Sequence, residues 1–246
     1  MGDNLPFVNL GPVSTVLDVS LGEAHTCAVL TDNTLKCWGK GDKAQTGQGD
    51  VLTKTSPVEV NLNGRLAAQV ACGRSHTCVV LTDKSAYCFG SNSLGQHGAN
   101  WTLVYGCGNS GPSYYNSVLG DHSSEIGANL VKWPVQAGAG VLVDAISAGG
   151  DVTCILSSGR VKCFGNSSAG ATGYGSTINT GGVTVSTRCN VVQCGSGCSE
   201  VYVAATSNFN FNPPFVDLGS SRTAVSVNVY EASVCALLDN GRVRCW

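Results

Sequence analysis

HTCAVLTDNTLKCWG, residues His25–Gly39, sets two cysteines ten positions apart around a polar turn. The motif returns as HTCVVLTDKSAYCFG (His76–Gly90), VTCILSSGRVKCFG (Val152–Gly165) and SVCALLDNGRVRCW (Ser233–Trp246). The first cysteines are Cys27, Cys78, Cys154 and Cys235, so the copies step by 51, 76 and 81 residues. The shortest step is the basic period, near the roughly 40–50 residues of a propeller blade. The longer steps then carry insertions, at about residues 101–132 and 177–212. Their Gly, Ser, Asn and Tyr content reads as extended loops.

Other parts of the unit recur. Glycine-rich tails follow the hairpin: GKGDKAQTGQGD from Gly39, GSNSLGQHGAN from Gly90 and GNSSAGATGYGS from Gly165. Upstream of the hairpin a proline-led apolar strand is expected: NLPFVNLG from Asn4, SPVEVNLNG from Ser56, WPVQAGAG from Trp133 and PPFVDLGSS from Pro213. Short apolar runs broken by turn residues, with no helical period, indicate about four strands per unit and an all-β chain. The units fall at about residues 12–64, 65–140, 141–221 and, in part, 222–246, within a single repeat domain.

The cysteines can then be placed. A turn centred on Asp32 sets Cys27 opposite Cys37, and Cys78 stands opposite Cys88 in the same way. The third copy is one residue shorter, with SSG as its turn, and Cys154 still faces Cys163; in the last copy DNG turns Cys235 onto Cys245. Opposed residues of an antiparallel pair lie about 4.5 Å apart at Cα when not hydrogen-bonded, within disulfide reach. The expectation is a staple across each hairpin, with ordinary buried free thiols as the alternative. The spacing matches no zinc finger, and no C-x-x-C occurs, so neither a metal site nor thioredoxin-like chemistry is expected.

GEAHTCAVLTDNTLKCWG, with glycines and Gln48-Gly49 after it, resembles a repeat of the regulator of chromosome condensation family, as does VACGRSHTCVVLTDKSAYCFGSNSLGQHG. The same superfamily includes a secreted bacterial β-lactamase inhibitor, and the cysteine pairs resemble a variant of exported microbial repeat proteins. The resemblance covers three nearly full units and the start of a fourth. It implies a β-propeller, usually seven-bladed, of which this chain supplies about four units. The chain opens in mid-unit and stops at Trp246, where glycines follow in the other copies, so the expectation is a segment of a larger propeller. The alternative is a small closed ring in which a strand near Pro6–Leu10 completes the last unit.

Composition excludes several classes. Charged residues make up only 12% and the formal net charge is -2, which offers no general attraction to nucleic acid. No apolar run approaches the length of a membrane-spanning helix. No signal peptide is visible, yet 13 cysteines in regular pairs suit an oxidising compartment, so an extracellular or cell-surface location is expected. No phosphate-cradling loop, H-E-x-x-H or G-x-S-x-G occurs, so no catalytic residue, metal or cofactor is expected.

Some residues remain to be placed. His25 and His76 give way to Val152 and Ser233 in the other copies, which suits a strand-entry side chain bonded to a neighbouring unit. Trp38, Phe89, Phe164 and Trp246 follow the second cysteine and are expected between units. Asp32, Asp83 and Asp239 are expected to cap turn amides. Cys72, Cys107, Cys189, Cys194 and Cys198 fall outside the pairs; their odd number leaves at least one free thiol, and the rest are candidates for further disulfides. Asn100 and Asn166 match the glycosylation pattern. Trp101, Tyr105, Tyr114 and Tyr115 give the first insertion an aromatic content suited to partner contact. The reading is a non-enzymatic scaffold for a protein or glycan partner. The alternative, from the resemblance, is a regulator promoting nucleotide exchange on a small GTPase.

Overall fold

A computed structural model describes residues 4, 6–12, 15–98, 104–105, 118–132, 135, 141–175, 201–202 and 213–246. The first antiparallel sheet runs in the order β1 (Val16–Leu21), β2 (His25–Leu30), β3 (Leu35–Gly39), β4 (Lys54–Glu59). The second contains β5 (Ala67–Cys72), β6 (His76–Leu81) and β7 (Ala86–Ser91). Two short strands follow, β8 (Val104–Tyr105) and β9 (Val118–Leu119), and β9 closes the second sheet beside β7. The third sheet is β10 (Ala145–Gly149), β11 (Val152–Ser157) and β12 (Arg160–Gly165). After β13 (Val201–Tyr202) comes the fourth, β14 (Ala224–Tyr230), β15 (Ser233–Leu238) and β16 (Val243–Cys245). No α-helix occurs among the described residues.

The sheets stack face to face, which explains why their central strands read as continuous apolar runs. Every residue of β6 and β11 is buried, because a neighbouring sheet covers each face. Val29 and Leu35 of the first sheet share a core with Val70, Val79, Leu81 and Phe89 of the second. Val80 and Ala86 meet Ile155 and Phe164, and Leu156 and Val161 meet Val234 and Leu238, across the next two joints.

The hairpins set the register. Cys27 faces Cys37, Cys78 faces Cys88, Cys154 faces Cys163 and Cys235 faces Cys245. The structure joins each pair in a disulfide, with Cα atoms 4.0–4.1 Å apart. The third hairpin needs one residue fewer because Ser158 (φ 48°) and Gly159 (φ 73°) form a two-residue turn with both φ positive. The longer turns instead place Asn33 (φ 64°) or Lys84 (φ 65°) in the left-handed region.

Three expectations need correction. The first insertion is not loop throughout: its last part supplies β9 and two short 3-10 helices, Ser123–Glu125 and Gly127–Lys132. Four strands per unit hold for two sheets only. Among the described residues the third and fourth sheets have three strands, and the proline-led segment after β12 reaches it through one hydrogen bond, Val216 N to the Val161 carbonyl (2.8 Å). Finally, the Pro6–Leu10 segment does not join the last sheet. Leu10 packs on Ala28 and Leu30 of the first, and Lys36 Nζ donates to its carbonyl at 2.7 Å.

Candidate protein-binding face

The first two joints between units are keyed by the same polar contact. His25 Nε2 meets Thr77 Oγ1 at 2.8 Å, and Thr77 donates its only hydroxyl proton to the Gln45 carbonyl at 2.8 Å. His25 is therefore the donor, with its proton on Nε2. His76 Nε2 meets Thr153 Oγ1 at 2.8 Å in the second joint. In the third joint both partners are gone together: Val152 replaces the histidine and Val234 the threonine, and both lie in the shared core. The histidines were expected to reach a neighbouring unit, and they do. The threonines were missed, although the paired loss at Val152 and Val234 within the one chain was a signal for them.

Burial holds these imidazoles uncharged. It lowers the His25 pKa to about 4 and the His76 pKa to about 3, where the nearby His25 adds to the effect. Groups so enclosed and so far from titration at neutral pH are structural keys, not acid–base catalysts. The aromatic residues lock the same joints. Phe89 lies over Gly47, Phe164 over Gly98 and Trp246 over Gly173, each within 2.6–2.7 Å of where a Cβ would stand. Trp246 Nε1 also donates to the Ala171 carbonyl at 3.0 Å. Trp38 packs on Leu10, Ala28 and Leu30 of its own end.

Two ends of the stack carry the loops. At one, Asp32 accepts the Thr34 amide at 3.0 Å and Asp83 the Ser85 amide at 2.9 Å, as expected. In the fourth hairpin the cap is Asn240, which accepts the Arg242 amide at 3.1 Å, while the expected Asp239 pairs with Arg222 (3.4 Å).

The opposite end gathers the turns entering β2, β6, β11 and β15 together with the glycine-rich tails. Lys40 N bonds the Ala24 carbonyl (2.7 Å), Ser91 N that of Ser75 (2.8 Å) and Asn166 N that of Asp151 (2.9 Å). Here each unit offers one charged turn residue: Glu23, Arg74, Asp151 and Glu231. Arg74 spans two joints, with its guanidinium 2.8 Å from Glu231 and 3.6 Å from Asp151. Half-burial raises the Asp151 pKa, and Arg74 opposes that rise. The Arg74 and Glu231 side chains are 46% and 57% exposed, so the pair adds little stability and leaves a charged ridge facing solvent.

Both insertions depart from this end. Ser91, at the tip of β7, pairs with Val118 of β9, so the first insertion leaves and returns beside the ridge. The second leaves after the third glycine-rich tail, and the two meet in a short antiparallel ladder, Val201 to Tyr105 and Tyr202 to Val104. Nothing in the sequence pointed to that meeting. Tyr105 thus lies in a strand; Trp101, Tyr114 and Tyr115 fall outside the described residues. So do Cys107, Cys189, Cys194, Cys198 and Asn100. Asn166 is described, and its side chain accepts the Ser168 amide at 2.9 Å. Cys72 is a buried free thiol.

Known proteins match this architecture. Models of the regulator of chromosome condensation (RCC1) repeat match residues 16–45, 67–96 and 33–80. Protein RCC2 homolog of Xenopus laevis is 37% identical over 76 residues, 30% of this chain and 15% of that protein. Ultraviolet-B receptor UVR8 of Arabidopsis thaliana is 26% identical over 170 residues, 68% of this chain and 33% of the receptor. A chain in the crystal structure of Kap60 bound to yeast RCC1 (Prp20) superposes with a TM-score of 0.63 at 16% identity, covering 97% of this chain and 45% of that one. The present chain thus spans a third or less of those two sequence relatives and under half of that propeller chain. Its first two stapled sheets match RCC1-repeat models, and the stacked sheets share the β-propeller fold of RCC1.

Proposed function

We propose that the protein is a non-enzymatic binding scaffold that receives a protein partner on the end bearing the Glu23–Arg74–Asp151–Glu231 ridge. The observation that carries this reading is the convergence there of both insertions, joined through β8 and β13. A rigid stack that presents long loops at one end is the usual way a propeller scaffold acquires a specific surface. The ridge offers both signs of charge in fixed order, which favours a partner with a complementary charged strip. The repeated cysteine pairs support an oxidising setting for this scaffold, outside the cell or at its surface.

A photo-crosslinking residue placed at Glu23 or Glu231, and separately at Lys84 or Asn240 on the opposite end, tests the proposal in extract from the native source. The expected result is one discrete protein adduct from the ridge end only, lost in Arg74→Glu while stability stays within about 0.5 kcal/mol. Adducts from both ends alike, or from neither, overturn it. The alternative reading, nucleotide exchange on a small GTPase, predicts accelerated release of labelled nucleotide from one member of a GTPase panel. The scaffold reading predicts background rates.

A further inference from the structure

The joint between the first two units holds a buried free thiol. Cys72 is 3% exposed at the end of β5, and its position in the unit is Leu21, Ala148 and Val229 elsewhere. Its sulfur, the Cys27 sulfur and an imidazole nitrogen of His25 all lie within 4.8 Å of one another. Thr77 Oγ1 lies 3.8 Å from each sulfur. Because that hydroxyl gives its proton to the Gln45 carbonyl, Cys72 S–H points its own proton at the Thr77 oxygen. The Cys27 backbone also bonds the Cys72 sulfur. A free thiol is therefore held against one half of a disulfide belonging to the preceding unit.

We propose that Cys72 is an intramolecular exchange partner for the first staple, able to take Cys27 from Cys37. The Cys72 thiol loses its proton to hydroxide, and its thiolate attacks Cys27 Sγ. A Cys27–Cys72 bond forms, the Cys27–Cys37 bond breaks, and Cys37 leaves as a thiolate that is protonated by water. No net oxidation or reduction occurs. The bond moves from within the first sheet to between the first and second, leaving a free thiol on β3. Held proximity replaces a bimolecular encounter, which is why an enclosed thiol can act here at all.

The same enclosure keeps the exchange silent at neutral pH. Burial pushes the Cys72 thiol up to about 12, so its thiolate fraction should grow about tenfold per pH unit below that. The test is non-reducing peptide mapping of the folded chain after incubation at a series of pH values from about 7.5 to 9.5, with folding followed by circular dichroism. Each sample is quenched with acid, unfolded in denaturant, and its thiols are alkylated with a maleimide.

The expected result is a Cys27–Cys72 peptide appearing together with alkylated Cys37, rising about a hundredfold over the two pH units. Cys78–Cys88 and Cys154–Cys163 should stay intact, since Ala148 and Val229 replace the thiol in their joints. Cys72→Ala, or Cys72→Ser should the first fold poorly, should abolish Cys37 labelling. An unlabelled Cys37 at every pH, or equal labelling in both proteins, overturns the proposal.

Discussion

Lowering the pH from 6.5 to about 5 should loosen the joints between units, because each buried imidazole must stay uncharged for the stack to hold. An unfolded histidine titrates near 6.5; burial lowers His25 to about 4 and His76 to about 3. Their folded values are depressed, so the stability they support is complete above 6.5 and falls as the pH drops toward the folded values. Each unit of pH costs about 1.4 kcal/mol per such group, so the two together cost about 4 kcal/mol by pH 5. His97, which burial also holds well below its ordinary value, acts in the same direction.

Glu125 acts in the opposite sense. Burial raises it to about 7, so protonation on acidification relieves a cost and returns about 2 kcal/mol over the same window. Glu125→Gln removes that contribution while its amide oxygen can still accept the Gly120 N–H now bonded at 2.9 Å. Urea unfolding of Glu125→Gln at half-unit steps of pH is the assay. The slope should then correspond to at least two protons taken up on unfolding. His76→Val, copying the residue the third unit uses, should reduce it by one. A flat profile between these values, or a slope unaltered by His76→Val, refutes the account of the joints.

Other outcomes follow from the same contacts. Thr77→Val keeps the volume but strands His25 Nε2–H and the Gln45 carbonyl, and should cost about 2–3 kcal/mol by urea melt. Gly98→Ala puts a methyl 2.6 Å from the Phe164 ring at φ +60°, and should cost about 2–4 kcal/mol with a shifted Phe164 ring signal by NMR. Replacing Cys154 and Cys163 together by alanine should lower stability by about 2–3 kcal/mol, since the staple closes a short loop.

Much of this architecture was legible because a repeat writes the same physics several times. The register of every hairpin followed from cysteine spacing, including the third, where a residue lost from the turn leaves Cys154 opposite Cys163. The Phe89 and Phe164 positions were legible for the same reason. What stayed hidden were contacts whose two halves sit in different units. Thr77 reads as an ordinary strand residue until His25, fifty-two positions earlier, is seen to donate to it. Gly47 and Gly98 read as turn formers, whereas the close approach of a ring from the next unit also fixes them. The charged ridge was hidden likewise: Glu23, Arg74, Asp151 and Glu231 mix both signs of charge at one repeat position and become a feature only when the units stack. The meeting of the insertions at β8 and β13 depends on two-residue strands, too short to leave any period.

The claim on which the rest stands is that this protein is a stack of disulfide-stapled sheets. Non-reducing peptide mapping of the protein from its native source, with thiols alkylated at neutral pH in denaturant before digestion, tests it most directly. The account predicts linked Cys27–Cys37, Cys78–Cys88, Cys154–Cys163 and Cys235–Cys245, with Cys72 carrying the alkyl label. Recovery of those eight cysteines as labelled free thiols would contradict it.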